Sequence, residues 1–214
     1  MKILLEGLRK FATDIYPDRQ KLFLELSAGQ KPHTLMITCS DSRIDPNLVT
    51  QTQPGELFVV RNAGNIVPPY GSSKGGEEAA IEFAIEALGV SHIVICGHSQ
   101  CGAMSALMNS DSVKALPSVA AWLNHAEATR RRCKDHPNNN PLKTTEENVL
   151  VQAENLKSHP AVSAALRRKS IQIFGWIYHF ETGEVTIYDP TQGKYVRSSE
   201  VRGRADSDIK SLAI

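Results

Sequence analysis

Two short stretches of the chain hold residue types suited to metal chemistry: Cys39-Ser40-Asp41-Ser42-Arg43 and His98-Ser99-Gln100-Cys101-Gly102. Together they supply two thiols and an imidazole, a ligand set that zinc accepts, with a carboxylate and a guanidinium beside the first thiol. Three ligands leave a tetrahedral ion one short, and that fourth position separates a catalytic centre from a closed structural one. Asp41, two positions from Cys39, can fill it. The same carboxylate can instead form a bidentate ion pair with Arg43 and leave the position to water.

An open centre does hydrolytic or hydration chemistry, because the bound water gives up its proton more readily and becomes hydroxide, the nucleophile. Two thiolates neutralise much of the ion's charge, so the water is less acidified than at an all-imidazole centre, and an acceptor such as Asp41 helps to orient the hydroxide. Activity is then expected to climb with pH, the direction that releases the water proton and favours thiolate ligands. A centre closed by Asp41 is an inert staple, and the short His-x-x-Cys spacing leaves both readings open. Redox use of the thiols is the weaker reading, since Cys96 and Cys101 lack the Cys-x-x-Cys spacing. Cys96 on an apolar run and Cys133 on a helical one read as packing residues. Gly75-Gly76 precedes a helix without the Lys-Ser/Thr of a phosphate loop.

The elements that must position these residues are legible as alternating strands and helices. Thr34 to Thr38 is an almost continuous apolar run of the kind a doubly buried strand shows, with Cys39 at its carboxyl end. Leu57 to Val60 repeats the pattern and stops at the turn-forming cluster Arg61 to Asn65. A helix is predicted over Glu77 to Leu88, then a strand over His92 to Cys96 that ends at Gly97-His98. Further helices are predicted over Val119 to Cys133, Glu146 to Lys157 and Ala161 to Arg168, with a turn-rich segment from His136 to Pro141. Ile171 to Tyr178 and Val185 to Tyr188 form a hairpin across Glu181-Thr182-Gly183. From Thr191 onward the pattern is polar and assigns no element. Ahead of all this, Leu5, Leu8, Phe11 and Ile15 recur at helical spacing up to Pro17, and Leu22, Phe23 and Leu26 mark a second helix. The expected fold is α/β: a central, mostly parallel sheet flanked by helices, with an N-terminal helical arm over 1–30 and a zinc-binding unit over 31–214. Ligands of such sheets bind outside the carboxyl ends of strands, where Cys39 and His98 both fall.

A chain of 214 residues with a formal net charge of +1 and 41% hydrophobic residues suits one globular domain and gives no reason to invoke nucleic acid or an anionic membrane. No run approaches the roughly 20 apolar residues of a membrane span. Glu6 and Arg9 interrupt the start of the chain before a secretory segment develops. Four cysteines are too few for a disulfide scaffold of this size, which points to a reducing, cytoplasmic setting.

The CSDSR at Cys39 to Arg43 and the GHSQCGA at Gly97 to Ala103 resemble the paired zinc signatures of the β-class carbonic anhydrases. QPGELFVVRNAGNIVPPYG from Gln53 to Gly71 and GWIY at Gly175 to Tyr178 agree with the same family. The resemblance implies reversible hydration of carbon dioxide to bicarbonate and a proton. One Zn2+ per chain would be held by Cys39, His98 and Cys101, with Asp41 as fourth ligand or, paired to Arg43, as the acceptor that orients hydroxide. It places substrate contacts at Gln30, Phe58, Ala63 and Gly102, with Phe83 donated by a neighbouring subunit. It also implies a homodimer or a dimer of dimers in which the N-terminal helices embrace the partner.

A bicarbonate-binding regulatory pocket, where relatives have one, needs a Trp, an Arg and a Tyr, and the matching positions here are Met36, Arg61 and Tyr178. Without the indole a strong bicarbonate response is not expected. The chain ends at Ile214, without the long C-terminal extension of carboxysomal relatives, and free cytoplasmic enzyme is the expectation. Hydrolysis of carbon disulfide, known on the same scaffold, is a rival chemistry. A structural staple is the other rival, though it has no need of Arg43 or Gln30.

Overall fold

The apolar runs pair into one six-stranded sheet in a computed structural model that describes residues 1–134, 140–201 and 209–214. Its strands are β1 (Thr34–Cys39), β2 (Leu57–Asn62), β3 (His92–His98), β4 (Gln172–His179), β5 (Glu184–Asp189) and β6 (Lys194–Arg197), in the spatial order β2-β1-β3-β4-β5-β6. The first four are parallel, and β5 and β6 return antiparallel. The mostly parallel sheet is therefore as expected. β6 went unread because only Val196 of its four residues is buried, so no apolar pattern marks it.

Side chains alternate across β1, β3 and β4 into two separate cores. Leu35, Ile37, Ile93, Ile95, Ile173 and Ile177 face one, and Met36, Val94, Cys96 and Phe174 face the other. Burial on both faces is what selects near-continuous apolar strands over alternating ones.

The first core is closed by helices. Ile81, Ala84, Val149, Ala153, Leu156, Val162 and Ala165 pack against the strands there. Among the described residues the helices of this unit are α3 (Pro46–Thr50), α4 (Gly76–Glu82), α5 (Gly102–Met108), α6 (Pro117–Leu123), α7 (Glu127–Lys134), α8 (Pro141–Lys157), α9 (Pro160–Arg167) and α10 (Ser198–Val201); α1 and α2 lie in the N-terminal unit. Helix α8 reaches the sheet over Gly97, where a Cβ would stand 2.6 Å from Cγ2 of Thr145 and 3.1 Å from Cγ2 of Val149. Only glycine lets β3 and α8 come this close.

The predicted helix over Val119 to Cys133 is in fact α6 and α7, separated by a 3-10 turn at Asn124–Ala126. The helix expected from Glu77 to Leu88 ends in a π-turn at Phe83–Ala87. Residues 135–139, which carry most of the predicted turn-rich segment, lie outside the described residues.

Met1–Lys31 forms a separate unit from Pro32–Ile214. In it α1 (Lys2–Lys10), a π-turn (Phe11–Ile15) and α2 (Tyr16–Ser27) follow one another directly. Pro17 was expected to break the helix. Instead it sits in the first turn of α2, where its missing N–H leaves nothing unpaired. Phe11, Tyr16 and Phe23 cluster, with Tyr16 and Phe23 stacked at 5.5 Å. Among the described residues no helix is long and apolar enough to cross a membrane.

Candidate metal centre

The parallel register of β1 and β3 pairs Thr38 with Cys96, so the carboxyl ends of both strands lie side by side. Cys39 is the last residue of β1 and His98 the last of β3. The chain then turns through Gln100, whose φ of 52° is left-handed, and delivers Cys101 at the cap of α5. The ligand atoms of Cys39, His98 and Cys101 all lie within 4.8 Å of one another, and all three residues are buried. Residues about sixty positions apart thus converge because two neighbouring strands end there.

Each donor is prepared for a cation. Nδ1 of His98 is 2.8 Å from the Ser99 carbonyl, which fixes Nδ1 as the protonated nitrogen and leaves the Nε2 lone pair free. Nε2 is buried and, among the described residues, has no hydrogen-bond partner. A buried imidazole nitrogen facing two thiols, with nothing else to bond, fits a metal ligand. The thiols are split by their contact: a hydrogen bond from Cys101, with help from His98 and the Gly64 and Asp41 amides, overrides burial and holds Cys39 down at about 4. Cys101 is pushed up by the same contact and by burial. Both sulfurs become thiolate only with a cation between them. Gly64 adds a backbone N–H 3.3 Å from Sγ of Cys39, in a conformation (φ 83°) that suits glycine.

Asp41 stands at the rim. Its Oδ1 accepts from Nε of Arg43 at 2.9 Å and its Oδ2 from Nη2 at 2.8 Å, a bidentate pair completed by the Arg43 amide at 3.0 Å. The side-chain bond to Arg43 is the main reason its carboxyl lies well below the ordinary range, despite the opposing cost of desolvation. Oδ2 remains 3.9 Å from Nε2 of His98. The inner wall is apolar: Ile66, Met104, Leu107 and Leu123 pack with the two ligand thiols.

The other expected residues are placed unevenly. Phe58 and Phe83 come together with ring centroids 6.0 Å apart, and Phe83 is exposed. Ala63 offers its carbonyl to Nε1 of Trp122 at 2.8 Å, and Gly102 opens α5 beside Cys101. Gln30 belongs to the N-terminal unit. Met36 is buried in the sheet and Tyr178 packs edge-on against Phe180. The Arg61 guanidinium is engaged by three carbonyls, of Cys39, Asp41 and Ile44, at 2.8 to 3.0 Å. Arg61 thus shapes the ligand-bearing loop. That role, the Gly64 amide and the contacts of Ser99, Gln100 and Glu181 described below were not read from the sequence, where they appear only as turn residues.

Comparison with known proteins places this arrangement. The carbonic anhydrase family model matches residues 34–185. The chain is 52% identical over 193 residues to a carbonic anhydrase of Synechococcus elongatus, covering 86% of this chain and 70% of that one. It is 43% identical over 204 residues to one of Pseudomonas aeruginosa, covering 94% and 93%. The solved structure of the beta-carbonic anhydrase CcaA superposes with a TM-score of 0.90 at 46% identity, over 92% of this chain and 98% of that one. A strand-end site with two thiols and an imidazole on such a sheet defines a zinc lyase, and the chain belongs to the carbonic anhydrase family. Within that family it is a β-class enzyme, which catalyses the reversible hydration of carbon dioxide with zinc as its cofactor. A structure of tetrameric beta-carbonic anhydrases from Sordaria macrospora, 26% identical, superposes with a TM-score of 0.77 over 87% of this chain and 95% of that one.

Proposed function

We propose that Cys39, His98 and Cys101 hold the zinc and that Asp41, kept in place by Arg43, is the acceptor that orients the attacking water. When bound, zinc acidifies a ligated water and so supplies the nucleophile for the carbon of carbon dioxide. The observation that carries the reading is the Asp41 carboxylate, which is bidentate to Arg43 while its Oδ2 stays 3.9 Å from the unpartnered Nε2 of His98. In that position it would accept a hydrogen bond from a water held beside the Cys39, His98 and Cys101 donors without itself being a ligand. Its low proton affinity keeps it an acceptor at neutral pH. Released from Arg43, the same carboxylate would be free to turn toward the cysteine and histidine donors and act as a further ligand.

Phe58, Ala63 and Gly102 are assigned to the substrate pocket, with Phe83 contributed by a second subunit; the exposure of Phe83 supports that sharing. The assembly is a homodimer or a dimer of dimers. Its support is α1, in which Ile3, Leu4, Leu5 and Leu8 are exposed and none of the helix's residues is buried. The setting is cytoplasmic, in keeping with four free cysteines. The reading is tested on metal-stripped protein. Carbon dioxide hydration must be absent, return with one equivalent of zinc, and fail to return in Cys101→Ser at the same zinc addition.

A further inference from the structure

Between the ligands His98 and Cys101 lie Ser99 and Gln100, and both are held from the far side by the hairpin turn that joins β4 to β5. Oε1 of Glu181 accepts from Nε2 of Gln100 at 2.6 Å, and Oε2 accepts from the Ser99 hydroxyl at 2.8 Å. That hydroxyl in turn accepts from the Phe180 amide at 3.0 Å, and the Ser99 amide donates to the Tyr178 carbonyl at 2.8 Å. The turn and the ligand loop are therefore stitched together by four hydrogen bonds.

What this stitching supports is Arg43. The carbonyl of Gln100 accepts from Nη2 of Arg43 at 3.2 Å, and Gln100 is held left-handed at a φ of 52°, which a residue with a side chain adopts only when its surroundings impose it. The Phe180 ring lies 4.5 Å beneath Cζ of Arg43 and 4.9 Å from the His98 ring. One turn thus presents a π-face and, through Gln100, a carbonyl to the guanidinium that holds Asp41. Glu181 itself touches neither Asp41 nor any ligand atom.

We propose that Glu181 is a positioning residue for the reaction, latching the His98–Cys101 loop so that Gln100 and Phe180 keep Arg43 on Asp41 and the carboxylate away from the metal position. The proposal rests on the Asp41 gate described above. With the latch gone, Arg43 loses two constraints, Asp41 is released more often, and the closed arrangement gains population. Closure by a carboxylate competes with water for one position, so a threefold larger closure constant raises the midpoint of the pH–activity profile by at most about half a unit. Among the described residues the charged groups facing Asp41 are Arg43 on its own loop, Cys39 at the end of β1, whose sulfur accepts from the Asp41 amide, and His98 on β3, and His179 faces Glu181; none is altered by the substitutions.

The test uses zinc-loaded Glu181→Ala and Gln100→Ala, both at exposed positions, and their double variant, beside Asp41→Asn. The expected result is a kcat/KM below wild type at pH 7, by about threefold at most, that recovers by pH 9, with an equal shift in both single variants and none added in the double. Zinc release to a chelator, measured independently of turnover, should be no faster than in wild type. A midpoint identical to wild type, a loss uniform across pH, or accelerated zinc release would overturn the latch. If Asp41→Asn loses turnover while the Glu181 variant keeps the wild-type midpoint, the latch alone fails. If Asp41→Asn turns over like wild type, the gate beneath it fails as well.

Discussion

Asp41 gives both carboxylate oxygens to Arg43, at 2.9 and 2.8 Å, while Oδ2 stays 3.9 Å from Nε2 of His98. The carboxylate is thus one short movement from the metal position. Replacing it by Asn keeps the size, removes the charge and halves the acceptor capacity. Asp41→Asn is expected to retain one zinc per chain and to lose turnover by about 10²-fold or more, the scale of a positioned acid–base group. Metal analysis and stopped-flow kinetics on the same sample decide it; turnover close to wild type would remove Asp41 from the reaction.

Zinc binding should release protons. Cys101 is pushed up by Cys39 and by burial, while the same contact holds Cys39 down, so the metal-free pair keeps a proton that the cation must displace. His98 is also raised, chiefly by its contact with Cys39 working against desolvation, and any proton on it is displaced too. Because the metal-free form carries the extra protons, affinity must rise with pH, by about tenfold per unit for each proton released. Calorimetric zinc titrations in buffers of different ionisation enthalpy measure this directly. A pH-independent affinity would contradict the paired state of the thiols.

Gly97 tests how tightly β3 and α8 are fitted. A methyl group there would meet Thr145 at 2.6 Å, Val149 at 3.1 Å and Ile177 at 3.2 Å, all inside the core. Gly97→Ala is expected to cost about 1–3 kcal/mol of stability through overpacking. Chemical denaturation of metal-free protein would show it as a lower midpoint at unchanged slope.

Bicarbonate should act on this enzyme only as a product. Met36 brings no N–H donor, and the Arg61 guanidinium already serves three carbonyls. Hill plots of activity against bicarbonate are expected to show no cooperative inhibition. Steep inhibition would mean that Arg61 leaves the ligand loop to take up the anion.

Much of the centre was legible because its chemistry is carried by residue type: Cys39, His98 and Cys101 announce a metal wherever the fold brings them together. That they meet followed from two apolar runs ending at ligands, which a parallel sheet places at one edge. The supporting contacts left no such mark. Ser99 and Glu181 are 82 positions apart and join only because β4 lies beside β3, and a glutamate in a hairpin turn looks the same whether or not it holds anything. Arg61 likewise reads as a strand-end residue until its three carbonyl partners are seen. Elements were misjudged where periodicity ran on through a change of helix type, as at Asn124, or where a strand such as β6 buried too little to show a pattern.

The most direct measurement is stopped-flow carbon dioxide hydration from about pH 7 to 9 on protein with assayed zinc. Asp41 is ionised across that whole range, so a pH dependence there does not come from the carboxylate's own proton. Activity that rises with pH at one zinc per chain is the predicted result. No hydration anywhere in the range, with zinc fully bound, would contradict an Asp41 held off the metal by Arg43.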